Sequence, residues 1–129
     1  MKKDIEQRED ILILVNSFYN KVKIDTTIGH IFSDVAHVNW ELHLPIMYDF
    51  WGGILLDEHS YSGNPMAKHI ALSRQHPLTA EHFAVWLQLF NQTVDELFVG
   101  VKADEAKARA EQIALLMQHK IKISGNDIL

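Results

Sequence analysis

The chain carries eight histidines and no cysteine, so a protein-held metal would have to be met by imidazole or carboxylate rather than thiolate. Most of the histidines are poorly placed for that. His30, His37, His59 and His119 fall in loops or on polar faces and read as surface. No His-Glu-x-x-His pair occurs, and Glu41 meets His43 at the wrong spacing for a di-iron bundle. A closed zinc or di-iron site is therefore disfavoured. Two other histidines stand out. His69 follows Asn64-Pro65, an N-cap and first-turn pair that starts a helix rigidly, and lies one turn in on the face of Pro65. His43 shares a helical face with Met47. His69 is well placed to be a metal ligand, although such a residue is more often simply a partly buried histidine. Tyr19 and Trp86 add an O–H and an indole N–H within apolar stripes. A buried tyrosine hydroxyl needs a partner, which is protein, water or ligand.

The elements that must position these groups are helical. From Asp4 to Lys23, Ile11, Val15, Phe18 and Val22 recur at three and four residues, with Asp4 and Gln7 at capping-box spacing. Asp25-Thr26-Thr27 caps a short helix from Ile28 to Phe32. Asn39 caps the next, running to about Leu56, which Pro45 should kink or restart near Leu42 to Pro45. A short helix spans Pro65 to Leu72. Thr79 caps a long helix from Ala80 to Phe98, with Phe83, Trp86, Leu87, Phe90 and Val94 in period, and Gly100 suits its end. Asp104 caps a last helix to about Ile121, and the tail from Ser124 is expected to fray. No strand pattern or repeat is visible. The reading is a single all-α domain over residues 1–129, its ordered core at about 4–122.

At 129 residues and 47% hydrophobic content the chain can fill one core. A net charge of −5 argues against a nucleic-acid backbone and an anionic membrane as partners. No apolar run approaches the ~20 residues of a membrane helix, and no signal core follows the N-terminus. A cytoplasmic location fits.

Three motifs occur in order: His43-x-Pro45 leading to Phe50-Trp51; Tyr61-x-Gly63-x-Pro65 leading to His69; and His82-Phe83 leading to Trp86-Leu87 and Phe90, with Phe18-Tyr19 ahead of them. This set resembles the truncated haemoglobins, specifically their third group, from about Phe18 to Ile121. The glycine pairs that mark other truncated globins are missing, as is common in that group. The resemblance implies a globin-like two-over-two helical sandwich around haem b. His69 would be the proximal iron ligand and His43 the distal histidine, able to swing. Phe18, Phe32, Met47, Phe83 and Trp86 would be walls. Tyr19 and Trp86 would donate to a bound diatomic gas, dioxygen, carbon monoxide or nitric oxide. Tyr61, Lys68, Arg74 and His76 are the candidates for the haem propionates. The residues themselves leave Tyr19 open as a structural hydroxyl and Trp86 as a core aromatic. Turnover of nitric oxide or peroxide is the enzymatic alternative. It would need a separate reductase, because no flavin or nicotinamide fingerprint is present. The residues leave the oligomeric state open.

Overall fold

The computed structural model describes residues 2–58 and 78–126. Among these, the chain forms four long helices, α1 (Arg8–Ile24), α2 (Trp40–Leu55), α3 (Ala80–Leu97) and α4 (Val101–Asn126), and a π-helical turn at Ile31–Val35. The extended backbone contributes one isolated bridge, between Lys3 and Phe98. The all-α expectation holds. The expected helix from Pro65 to Leu72 lies outside the described residues.

Helix α1 packs on α2 and α3, and α3 packs on α4, which gives two helical pairs joined through α1. Phe18, Leu14 and Val22 of α1, Phe90 and Val94 of α3, and Leu55 of α2 form the dry centre. Burying each such side chain contributes on the order of 1.5–3 kcal/mol. Helix α4 meets the rest through Ala103, Ala106 and Ala110, small residues that allow close approach. No helix among the described residues is long and apolar enough to cross a membrane.

Several helix ends differ from expectation, for one physical reason: a cap can come from far away. Helix α1 begins at Arg8, with Gln7 as N-cap, and Asp10 rather than Gln7 closes the box by accepting from the Gln7 N–H at 3.1 Å. Asp4 instead accepts from the backbone N–H groups of Lys102 and Ala103, both at 2.9 Å, and so caps α4. That cap starts α4 at Val101, three residues before Asp104, which lies in the first turn. Gly100 makes the arrangement possible. Its φ of +141° suits glycine, and a Cβ there would come within 2.5 Å of the Asp4 Cγ. Helix α4 also runs past Ile121 to Asn126.

Other caps are local and fall as the sequence suggests. Asn39 accepts from the Glu41 N–H at 3.1 Å, and Thr79 from the His82 N–H at 3.3 Å. Asp25 accepts from the N–H groups of Thr27 and Ile28, but the helical turn it feeds is π-type and lies at Ile31–Val35, later than expected. Helix α2 does not restart at Pro45. The proline sits in its second turn, where Glu41 and Pro45 are both exposed residues.

Candidate functional site

Helix α1 sends Tyr19 into the interior, where the residue keeps only 6% of its surface exposed. Its ring is enclosed by aromatics from three elements. Phe18 lies at 4.8 Å between centroids, Phe32 of the π turn at 6.1 Å, and Trp40 and His43 of α2 both at 5.2 Å. The first turn of α2, set by the Asn39 cap, brings Trp40 and His43 to the same face. The hydroxyl of Tyr19 meets Nε2 of His43 at 3.3 Å. That is long for a hydrogen bond of this type, whichever partner donates. Burial pushes the phenol pKa well above its ordinary value, so the group remains an O–H donor at neutral pH.

A second aromatic run continues from Phe18. Trp86 of α3 stands edge-on to Phe18 at 5.7 Å and stacks on Phe90 at 5.9 Å and 13°. Phe90 in turn stacks on Trp51 at 4.7 Å. Phe18 is therefore the hinge between the Tyr19 group and the Trp86 group. Phe83 sits apart from Tyr19, in a second cluster with Ala114 and Met117 of α4, against which Trp86 also packs. Met47 is half-buried one turn after His43 on the same face of α2, and Phe50 and Ile54 extend that face.

The structure thus brings Tyr19, His43 and Phe32 together and links them through Phe18 to Trp86. Tyr61, Lys68, His69, Arg74 and His76 lie outside the described residues. Trp40 belongs to the aromatic enclosure, although in the sequence it reads only as an apolar helix position. The signal that could have flagged it is its spacing of three from His43. A further device is the start of α3. Nδ1 of His82 accepts from the Thr79 N–H at 3.0 Å, closing a capping box one residue before Phe83 and one turn before Trp86.

Chemically, this is an apolar enclosure with one buried O–H and one imidazole at its edge. Phe32, Met47 and Trp86 are half-buried, so each keeps surface that is not spent on the core. That combination suits one face of a haem: flat apolar walls for the macrocycle and hydrogen-bond donors for what sits above it. An ion pair fixes where α2 hands on the chain. Arg8 bonds Asp49 and Glu58, each at 2.7 Å, and a Cβ on Gly52 would collide with the Glu58 carboxylate.

No family model matches the sequence. A group 3 truncated haemoglobin, ctb, of Campylobacter jejuni is 32% identical over 124 residues, covering 94% of this chain and 95% of that protein. The crystal structure of a group III truncated haemoglobin from Campylobacter jejuni superposes with a TM-score of 0.81 at 31% identity, covering 94% of this chain and 95% of that one.

Proposed function

Because the chain belongs to the group 3 truncated haemoglobins, we propose that it holds haem b through His69 and binds dioxygen and related diatomic gases beneath Tyr19, His43 and Trp86. The observation that carries this reading is the Tyr19–His43 pair, a buried O–H and an imidazole 3.3 Å apart inside an aromatic enclosure. Haem, when bound, supplies an iron that takes a diatomic ligand. The chain does the rest. Phe32, Met47 and Trp86 wall the site against water, and Phe18 supports them from the core. Tyr19 holds its proton because ionisation is opposed by burial, and so offers it to an acceptor with partial negative charge. His43, at the edge, takes or gives a hydrogen bond to the same hydroxyl and controls whether it is free. Lys68, Arg74, His76 and Tyr61 are the residues assigned to the propionates.

The test is a visible spectrum of the purified protein, ferric, ferrous and with carbon monoxide. A Soret band that shifts with carbon monoxide is the expected result. No Soret band after reconstitution with haemin would end the proposal. His69→Ala is expected to lose haem or to keep it only with added imidazole. Wild-type spectra in that variant without imidazole would overturn the ligand assignment.

A further inference from the structure

Helix α4 runs for 26 residues, and its two sides are used differently. Ala103, Ala106, Ala110, Ala114 and Met117 are buried. The opposite side carries Ala108, Glu111, Leu115, His119 and Lys122, all exposed, with Leu116 next to them. Leu115 and Leu116 are 61% and 47% exposed. A single exposed leucine is ordinary on a monomer, but these two stand together between unpaired charges of opposite sign. Every described lysine and arginine ahead of Ala108 has a partner: a carboxylate, a carbonyl or, for Lys23, the ring of Trp40. Among the described residues, Glu111, Arg109, Lys120 and Lys122 have none. The helix dipole does not account for this order of charge. Glu111 lies beyond the first turn and Lys122 ahead of the last, and the dipole acts only within those turns.

We propose that this face of α4 binds a second copy of the chain, the two helices lying antiparallel about a two-fold axis beside Leu116. Glu111, Leu115 and Lys122 are spaced by four and seven residues, so they form one stripe along the helix. The stripe is acidic towards its N-terminal end, apolar in the middle and basic towards its C-terminal end. Turned end for end, it complements itself, and Glu111 of each copy meets Lys122 of the other. The midpoint of that pair falls at Leu116. The register that matches the charges is therefore also the one that brings the leucines of the two copies together. In a parallel pair, Glu111 would meet Glu111 and Lys122 would meet Lys122, which like-charge repulsion opposes. Arg109 and Lys120 stand on the opposite edge of the helix by the same spacing rule, away from this pair. A surface that carries its own complement calls for a second copy rather than a foreign partner, and a two-fold pair is the commonest closed assembly. The contact is one helix wide, small beside the roughly 1,200–2,000 Å² of a stable interface, so the association is weak and salt-sensitive. The inference does not rest on the haem reading.

Sedimentation velocity of the purified full chain tests this from micromolar to millimolar concentration, at low and at high salt. The wild type is expected to pass from monomer towards dimer as concentration rises, and less so in high salt. Leu115→Ser and Leu116→Ser should each weaken the association about ten-fold. Glu111→Lys and Lys122→Glu should each weaken it about ten-fold or more, because each variant meets its own like charge twice across the two-fold. Mixed in equal amounts, those two variants should associate as well as the wild type does, since one then presents two cations and the other two anions at the matched positions. All four side chains are exposed, so melting temperatures should not move. If a leucine variant is nevertheless unstable, the mixing experiment still decides. A wild type that is monomeric throughout overturns the proposal, whether another protein or a membrane surface then takes the face. Association that survives Leu116→Ser and both charge reversals comes from a different surface and overturns it too. Charge variants that weaken association but do not recover on mixing overturn the antiparallel pairing.

Discussion

At the N-terminal corner, two carboxylates each accept several bonds. One oxygen of Asp10, which is 3% exposed, accepts from Lys3 at 2.6 Å, from the Glu6 N–H at 2.9 Å and from the Gln7 N–H at 3.1 Å. Asp4 accepts from Ile5, Lys102 and Ala103. At the proposed distal site, Tyr19 is almost as deeply buried, but the bond its hydroxyl makes to a described residue, Nε2 of His43, is a long one at 3.3 Å. Both regions remove oxygen atoms from water. The corner satisfies them with several short, charge-assisted or backbone bonds, which hold one geometry. The pocket holds its hydroxyl by a single long bond to a described residue, a bond that a better acceptor can replace. Several bonds mark the joint that keeps the helices in place, and the proposed ligand site is tied more lightly among the described residues.

The comparison is broken most severely at Gly100. Gly100→Ala forces a side chain into a positive-φ position and against the Asp4 carboxylate, so the cap of α4 must move. Strain of this kind and a lost cap together cost about 2–4 kcal/mol, expected as a lower urea midpoint with the Soret spectrum retained in the folded fraction. Next in size is Tyr19→Phe. Removing one donor to a polarised ligand is worth roughly 1.5–3 kcal/mol, and oxygen release by stopped flow should quicken about ten-fold or more. Carbon monoxide release should change less, because that ligand carries less negative charge, and stability should move by no more than about 1 kcal/mol. Unchanged oxygen release would mean that the pocket does not hold its ligand through this hydroxyl.

The smallest effect comes from mild acid. Burial pushes the Asp10 carboxyl upward, but the Lys3 ammonium and the Glu6 and Gln7 N–H groups outweigh it and hold its pKa below the ordinary value. Asp4 is likewise pushed up by burial and held below by the Lys102, Ile5 and Ala103 N–H groups. A depressed carboxyl stabilises the fold fully above its unfolded pKa, about 3.9, and loses that contribution as pH falls through the folded value. The urea midpoint should therefore be nearly flat from about pH 7 to 5 as far as these groups are concerned, and fall below about pH 4. Asp4→Asn should flatten part of that fall. A midpoint independent of pH in that range would show that the corner carboxylates are not held as the geometry requires.

What the sequence makes legible follows the range of each interaction. Thr79 could be read as the cap of α3 because its partner, His82, is three residues away. Asp4 could not be read as the cap of α4, because its partners are 98 and 99 residues away. Asp104 reads as the nearest cap, which puts the start of α4 four residues late. The distal side was half legible. Tyr19, His43 and Phe32 come from the family pattern, and the structure sets them side by side. Trp40 was missed because its helical period is the same as that of a core residue, and Lys23 and Phe32, which lie against its ring, belong to other elements. The residues expected on the proximal side, His69 above all, lie outside the described residues.

The Asp4 cap also has a kinetic side. Joining positions 98 residues apart closes a very large ring of chain, and its entropic cost is met only after the helices between have packed. Such a contact is expected to form late in folding. Its loss should leave the refolding rate nearly unchanged and appear almost wholly as faster unfolding. A joint made late would then act as a latch, measurable as faster unfolding of Asp4→Asn at an unchanged refolding rate.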